Sequence, residues 1–437
     1  MAARGRDRCR TGCDAGAVSE TGEGREGSAE RSQEQPRILR TLLTSQVLGS
    51  LGTGAATSLG SIIAYQVTSS EALAGISRTV ALLSTAAFGV PLAMLAVRRG
   101  RRPALTLGYG LSFLGAVLQV LAIARSSLVI LVLGLAIFGA GQAAALQARF
   151  AATDLEAPDR RTRSLSLVVW ATTVGVVLGP NLVLPGEPLG RLLGLPPIGG
   201  PYVITAAAML AATLVVWFRL RPDPLVRAGG VHAGGGRGPG LPLRVVLGRV
   251  MADPLPRFAF WATVLNHMVM VVVMTMSAVH LTNQQHALTL IGLTISLHTL
   301  GMYAFSPLVG RLAERFGMVR CLLFGQGLNA VALTLCFLAG GSMTLIAVGL
   351  FLLGLGWSFG MVSGSALLTR TVDPEVRTQA QGATDTFMSL FAALGAGAAG
   401  PVMAGFGFAW LSVVSLICLL PILALATRLP RVRGSEL

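Results

Sequence analysis

Three ionisable side chains lie deep inside long apolar stretches of the sequence. His267 is about eleven residues into one stretch and His298 is about ten residues into the next, so at about 1.5 Å per helical residue each is near the middle of its stretch. Asp385 lies about two turns into a later stretch and is the one carboxylate buried within any of them. If these stretches cross a membrane, a charge at that depth costs about 2.5 to 3.5 kcal/mol, so each residue needs a functional or structural reason.

Proton binding is the chemistry that these residue types suit best. Imidazole titrates near pH 6.5, and a buried carboxyl group is a natural proton site. The two stretches enter the membrane from opposite sides, which allows His267 and His298 to face one another. The alternatives are a neutral histidine hydrogen-bonded between helices, and an Asp385 that is the static partner of a cytoplasmic arginine. Arg78 either snorkels outward or faces a central cavity and binds an anionic group of a substrate.

The composition predicts that the elements holding these residues are membrane helices. The 437 residues are 53% hydrophobic, with a mean hydropathy of +0.69 and 12% charged residues, against about 25% in soluble proteins. Stretches of about 20 residues, long enough to span about 30 Å of hydrocarbon and apolar on all faces, recur from Ile38 to Pro430. We therefore expect an all-α integral membrane protein with twelve transmembrane helices. The predicted spans are roughly 38–66, 72–97, 103–123, 127–150, 164–186, 197–219, 257–281, 288–310, 318–339, 343–368, 379–405 and 407–428.

The distribution of positive charge predicts the orientation. The net charge is +15, and all 34 basic residues are arginines. Thirty-one of them fall in the termini, the central loop and alternate connections, whereas two fall in the other connections. This asymmetry follows the positive-inside rule and predicts a multi-pass protein of the cell membrane with both termini in the cytoplasm. The basicity thus indicates a lipid bilayer partner and no nucleic acid.

An internal repeat divides the chain into two halves. Residues 93–100 return as 310–317, with an offset of 217, and residues 158–162 return as 374–378, with an offset of 216. Gly179-Pro180 returns as Gly400-Pro401. Each pair occupies the same place in its half, which predicts two six-helix bundles of parallel topology. The predicted divisions are a disordered cytoplasmic tail (1–37), an N-terminal bundle (38–220), a flexible cytoplasmic linker (221–256), a C-terminal bundle (257–430) and a cytoplasmic tail (431–437).

The repeated loops resemble a family signature. Residues 93–102, AMLAVRRGRR, resemble the G-x-L-A-D-R-x-G-R-R motif of the major facilitator superfamily, and residues 310–317 resemble its second-half copy. The resemblance implies that these cytoplasmic turns latch the halves together. The first copy has Ala93 and Val97 where the motif has Gly and Asp, so the latch hypothesis rests on Glu314 and Arg315. The alternative is a set of arginines facing anionic lipid. The signature-loop candidates are Arg98, Gly100, Arg101, Arg102, Gly310, Glu314, Arg315 and Gly317.

Two further patterns resemble those of drug–proton antiporters in that family, but with departures. Leu135 occupies the position of the motif arginine in the fourth span, which excludes antiport through that arginine. In the fifth span Gly175, Gly179 and Pro180 follow the G-x-x-x-G-P pattern, with Val183 in place of its last glycine. We expect these three residues to serve packing and gating, because small residues let helix backbones touch and slide.

The resemblance also implies a cavity lined by spans one, four, seven and ten. The polar candidates on those spans are few among aliphatic residues, which favours an amphipathic solute. They are Gln46, Thr53, Gln142, Gln147, Asn266 and Trp357, with His267 and Arg78 as described above.

These observations predict a secondary transporter that works by alternating access, most simply a proton-coupled exporter of small amphipathic compounds. The alternative is a metabolite importer of the same fold, and a remote alternative is a membrane enzyme or receptor. We expect no catalytic residues, cofactor or metal site, because the sequence lacks a metal-spaced cluster, a nucleophile elbow and a phosphate loop. The expected partners are a small-molecule substrate and protons, and the expected functional unit is a monomer.

Overall fold

The computed structural model describes residues 33–54, 76–196, 199–229, 241–285 and 288–429. The regular secondary structure of these residues is helical throughout. Eight of their helical stretches have the length and hydropathy needed to cross a membrane, and the last of these, Arg377–Thr427, is long enough to cross it twice.

We number the helices by the membrane span to which each belongs. The first half contains α1 (33–54), α2 (Ile76–Arg99), α3 (Arg101–Arg125), α4 (Leu128–Ala151), α5 (Arg161–Leu178) and α6 (Gly199–Arg219). The second half contains α7 (Pro254–Asn283), α8 (Leu288–Tyr303), α9 (Met318–Leu338), α10 (Met343–Thr371), α11 (377–406) and α12 (408–417). The last two helices are separated at Gly407, whose φ of 82° breaks the stretch Arg377–Ile417.

Short helices complete or connect several spans. Val183–Leu192 follows α5 through the 3-10 turn Gly179–Leu182, Ser306–Phe316 continues α8, and Leu420–Thr427 continues α12. Pro224–Arg227 and Leu243–Ala252 lie in the central linker. Since every predicted span contains a described helix, the predicted twelve-helix fold is confirmed. The predicted flexible linker is helical in part, and its residues 230–240, like residues 1–32, 55–75 and 430–437, lie outside the described residues.

The first helix begins earlier than its hydropathy predicted. Residues 33–37 were expected to belong to a disordered tail, but they are helical. Gln35 anchors them, since its Nε2 donates to the Ala152 carbonyl at 2.9 Å and to the Glu156 carboxylate at 3.1 Å. A tertiary contact thus orders a polar turn that sequence alone assigns to the tail.

The buried apolar side chains form two large clusters, one in each half. The first contains buried residues from Ile38 to Leu220. The second runs from Val246 to Ile422 and also takes in Phe150, Leu165 and Val169 of the first half. On the outside of the bundle, exposed leucines such as Leu107, Leu114 and Leu121 follow one face of α3 at seven-residue steps. Such an apolar outer face fits contact with lipid.

The halves meet near the end of the bundle that carries the central linker, which we call the linker face. There α2 and α11 pack so closely that a side chain at Gly382 would collide with Ala93. The Ser306 hydroxyl donates to the Ser166 carbonyl of α5 at 3.1 Å. These contacts join the two halves on the linker-face side of the molecule.

Candidate functional site

A cavity of about 220 Å³ lies between the two halves. Helices α1, α2, α4 and α5 line it from one side, and α7, α8, α10 and α11 line it from the other. Much of its wall is apolar or aromatic, with the thioethers of Met270, Met274, Met302 and Met361 beside Tyr303. Thioethers are flexible and polarisable, so a wall of this kind adapts to solutes of different shape.

Five of the sequence-predicted polar residues line this cavity: Gln46, Thr53, Gln142, His267 and Trp357. The Trp357 indole N–H donates to His267 Nδ1 at 2.9 Å, which holds the two rings together on the cavity wall. Gln46 Nε2 donates to the Thr172 hydroxyl at 2.9 Å. Arg78 lies in α2, but its side chain is outside the described part of the chain.

Two other cavity candidates are corrected by the structure. Gln147 is buried against α2, where its Nε2 donates to the Gly89 carbonyl at 2.9 Å. Asn266 is buried inside the second half: its side-chain oxygen accepts from Gln326 at 3.2 Å and from Asn329 at 2.8 Å. Neither residue is on the cavity wall. Each was placed there by the span it belongs to, but span membership does not decide which way a helix face turns.

The two histidines do not face one another. His298 is fully buried, and its Nδ1 is 2.6 Å from the Leu350 carbonyl of α10. His267 contacts the same helix at Trp357, seven residues further on, which is about 10 Å along the helix axis. His298 is therefore hydrogen-bonded between two helices, and it is not on the cavity wall.

Asp385 forms an ion pair that joins the halves. Its Oδ1 is 2.5 Å from Nη2 of Arg149 on α4, and the two side chains are 1% and 2% exposed. Arg149 also donates to the Leu146 carbonyl at 2.6 Å and lies 3.3 Å from the Ser365 hydroxyl. Arg149 lines the cavity. Burial of both charges makes the pair costly to break, because either partner alone is an uncompensated charge.

Arg149 was not predicted as a site residue, because it lies at the end of the predicted span 127–150 and was counted with the cytoplasmic arginines. A signal was present: Gln142, Leu146 and Arg149 are spaced at i, i+4 and i+7, so they share one face of α4. All three line the cavity.

A second polar layer lies one turn nearer the linker face. Gln381 is one turn before Asp385 on α11, and its Oε1 accepts from Arg101 Nη2 at 2.8 Å. Arg101 also pairs with Asp154 at 2.8 Å, and Gln381 donates to Thr369 at 3.1 Å. Burial raises the pKa of Asp154, while the Arg101 guanidinium opposes this increase. The predicted signature residue Arg101 thus belongs to a buried network between halves that also contains the unpredicted Asp154 and Gln381.

The two signature glycines have the same backbone geometry. Gly100 has a φ of 98° and Gly317 a φ of 94°, both in the left-handed region that favours glycine. At the first loop Asp223 of the linker accepts from the backbone N–H of Arg101 at 3.1 Å and of Arg102 at 2.6 Å. A side chain at Gly100 would collide with this carboxylate. The loop is therefore tied to the central linker.

The second signature loop contacts the first half directly. Glu314 Oε1 accepts from the backbone N–H of Arg163, at the start of α5, at 2.8 Å. Partial burial raises the pKa of Glu314, whereas this N–H and the Arg163 charge lower it. A side chain at Gly310 would collide with Ser166. Arg315 is exposed, with its guanidinium 5.3 Å from the Phe316 ring.

Two other arginines of the first signature loop lie nearer the surface, with Arg98 exposed and Arg102 half-buried, and this fits the lipid-facing alternative. Arg98 lies exposed at the end of α2. Arg102 stacks on Trp217, 4.4 Å from the ring centre, and donates to its carbonyl at 2.8 Å. The arginines predicted as one group therefore divide into two, with Arg101 buried between the halves and the others at the surface.

The fifth-span glycines pack within the first half. Gly175 faces Ser50 and Leu51 of α1, where a side chain would collide with both. The helix ends at Leu178, and Gly179 begins the 3-10 turn that contains Pro180. The pattern thus marks a close contact between α1 and α5 and the end of a helix.

Comparison with known proteins identifies the family. The sequence profile of the Major Facilitator Superfamily matches residues 42–259 and again residues 259–436, one match for each half of the chain. The chain belongs to the major facilitator superfamily. It is therefore a multi-pass membrane transporter and not an enzyme.

Individual major facilitator proteins are similar over most of the chain. YdeG of Bacillus subtilis (strain 168), described as an uncharacterized MFS-type transporter, is 34% identical over 385 residues, which are 86% of this chain and 88% of YdeG. The riboflavin transporter RfnT of Brucella anthropi is 28% identical over 80% of this chain and 85% of its own. A bacterial homologue of the iron transporter ferroportin, solved in an outward-facing state, has a TM-score of 0.69 at 17% identity, covering 90% of this chain and 100% of that chain. This last likeness supports the fold alone.

Proposed function

We propose that this chain is a proton-coupled transporter of small amphipathic compounds. It works by alternating access, with bundles 38–220 and 257–430 rocking about the central cavity on linker 221–256. The observation that carries the proposal is the buried Arg149–Asp385 pair, which joins α4 to α11 directly beside that cavity. The arginine distribution supports a location in the cell membrane with both termini in the cytoplasm.

Proton binding at Asp385 supplies the coupling step. One oxygen of Asp385 accepts from Arg149, while Oδ2 is buried and has no hydrogen-bond partner in the described structure. A proton on this carboxyl group removes its charge, weakens the pair and loosens the contact between the halves. The proton site is thus also a contact that holds one conformation.

The cavity wall supports an amphipathic solute. Its aromatic and thioether groups suit an apolar body, and a few polar groups, such as Gln46, Gln142 and His267, suit a polar end. We place export from the cytoplasm first, as the family resemblance of the sequence implies.

A proteoliposome experiment tests the coupling. A panel of toxic amphipathic compounds, tested on cells with and without the gene, first finds a transported compound. Its flux is then measured under an imposed pH gradient, with entrapped pyranine reporting proton movement. We expect the gradient to drive flux in the full chain and Asp385→Asn to abolish that dependence.

The matched control for this experiment is Asp373→Asn, which removes a carboxylate with 54% side-chain exposure at the linker face. It should leave the gradient dependence intact. Flux that ignores the pH gradient in the unaltered chain would refute the proposal.

A second candidate is the import of a metabolite with a planar ring. The similarity to a riboflavin transporter favours it, as does the edge-to-face contact of Tyr303 with Trp357, whose ring centres are 5.3 Å apart on the cavity wall. Aromatic rings in this arrangement suit stacking against a flat solute. Accumulation of labelled riboflavin in right-side-out vesicles would support this candidate, and accumulation in inverted vesicles would support export.

A further inference from the structure

We infer that the transported solute is an organic anion, and that its negative group replaces Asp385 as the partner of Arg149. The inference rests on the proposed proton coupling and names the substrate class of the same site. Arg149 is the only described cavity-lining residue with a permanent charge, and no described cavity-lining residue is an aspartate or a glutamate.

Geometry makes Arg149 the group that meets the solute. Both side chains are almost fully buried, but Arg149 lines the cavity and Asp385 does not. Ser389, one turn beyond Asp385 on α11, lines the cavity, so the carboxylate is about 6 Å nearer the linker face than that wall residue. A cationic solute in the cavity would meet the guanidinium before it reached the carboxylate. An anionic solute would meet a compatible charge that is already desolvated.

Among the described residues, no other charged group contacts Arg149. Its guanidinium otherwise contacts the Leu146 carbonyl, the Ser365 hydroxyl and the face of the Phe150 ring, none of which carries a formal charge. With Asp385 protonated, the cavity therefore gains one uncompensated positive charge in an apolar wall. An arginine in this position binds a carboxylate, sulfonate or phosphate through two parallel hydrogen bonds.

Other charged groups near Asp385 do not change this account. Arg101, which adds positive potential at Asp385, is itself paired with Asp154. His267 faces the cavity from α7 and is hydrogen-bonded to Trp357. Where α2 packs closely against α11, its Gly89 and Ala93 face Gly382, and both are small and uncharged. The balance of charge at the cavity is thus set by Arg149 and Asp385.

The inference fixes the sign of coupling. The solute anion and the Asp385 carboxylate compete for one guanidinium, so anion binding favours the protonated carboxyl group, and the proton favours anion binding. Anion and proton therefore move in the same direction. An inward proton gradient therefore drives uptake, so this inference favours the import candidate of the proposed function over the export candidate.

Collisional quenching of Trp357 fluorescence tests the inference without a known substrate. Trp357 lines the same cavity as Arg149, from the other half of the chain. Its fluorescence is obtained as the difference between the full-length chain and its Trp357→Phe variant in nanodiscs. Iodide, caesium and acrylamide serve as anionic, cationic and neutral quenchers. In Asp385→Asn we expect iodide quenching to rise about threefold or more relative to acrylamide, and caesium quenching to fall, because an uncompensated charge concentrates counter-ions in a cleft.

A charge-neutral double variant is the control. Arg149→Gln combined with Asp385→Asn removes both charges and leaves a polar side chain at each position, and we expect the three quenchers to behave as in the unaltered chain. The chemical preference is tested with 1-naphthoate and its neutral analogue 1-naphthamide. In Asp385→Asn, naphthoate should protect Trp357 from iodide at concentrations at least about tenfold lower than naphthamide does, as expected for one charge-assisted pair.

The outcomes separate this inference from the proposed function. Equal iodide and caesium quenching in Asp385→Asn, or equal protection by the two naphthyl compounds, would overturn the anion assignment. A pH series on the unaltered chain covers the case in which Asp385→Asn does not fold, since acidification should then raise iodide quenching by itself. Anion preference in Asp385→Asn with no pH response in the unaltered chain would refute proton coupling at Asp385 and leave the anion assignment standing.

Discussion

Removal of one partner from the Arg149–Asp385 pair should destabilise the protein far more than removal of both. The side chains are 2% and 1% exposed and their charged atoms are 2.5 Å apart. At an effective dielectric constant of about 20, charges about 4 Å apart attract by about 4 kcal/mol. Either single variant, Arg149→Gln or Asp385→Asn, leaves a buried charge uncompensated, so we expect each to lower the free energy of unfolding by about 3 to 5 kcal/mol.

The double variant should recover most of that loss, since it leaves a neutral polar pair and no uncompensated charge. Denaturant titration in nanodiscs, followed by tryptophan fluorescence, measures the four free energies of the double-mutant cycle. The interaction energy should be several kcal/mol. A decrease in the free energy of unfolding below about 1 kcal/mol in each single variant would refute this account of a buried, mutually dependent pair. So would a decrease in the double variant equal to the sum of the two single decreases.

An exposed ion pair of similar length provides the matched comparison. Arg249 Nη1 is 2.7 Å from the Glu375 carboxylate, but the side chains are 40% and 61% exposed. Water and salt screen such a pair, so Glu375→Gln should leave the unfolding curve unchanged within error. A loss equal to that of Asp385→Asn would mean that separation of the charges, and not burial, determines the effect.

Two further predictions concern the helix contacts. Gly175→Ala should lower the free energy of unfolding by about 1 to 3 kcal/mol in the same titration, because the added methyl group collides with Ser50 and the backbone of α1. Gly327→Ala is the control: its position has open space, so the substitution should be neutral or slightly stabilising, and equal effects of the two variants would contradict the packing argument. Glu314→Ala should weaken the contact between the halves at the linker face, because the Arg163 N–H loses its acceptor. A cysteine introduced at that face should then be labelled at least about threefold faster, and an unchanged labelling rate would count against a latch at Glu314.

The sequence by itself determined the architecture of this protein. Hydropathy is a property of local composition, so twelve spans, including the break near Gly407, could be predicted without knowing how the helices pack. The 217-residue repeat was also visible, and it places Gly100 and Gly317 in equivalent turns with φ near 95°. Asp385 stood out because a carboxylate within an apolar span is costly wherever it lies.

Tertiary structure alone decided the partners of those residues. Arg149 and Asp385 are 236 residues apart and belong to different halves, and Arg101 and Gln381 are 280 residues apart. Sequence placed Arg149 at the end of the predicted span 127–150 and counted it with the cytoplasmic arginines, because an arginine near a helix end usually reaches the interface. It also placed Asn266, Gln147 and His298 by span, but the rotation of a helix about its axis is fixed by packing against its neighbours. The hydrophobic pattern therefore fixed which segments cross the membrane, and side-chain packing between them fixed which polar groups meet.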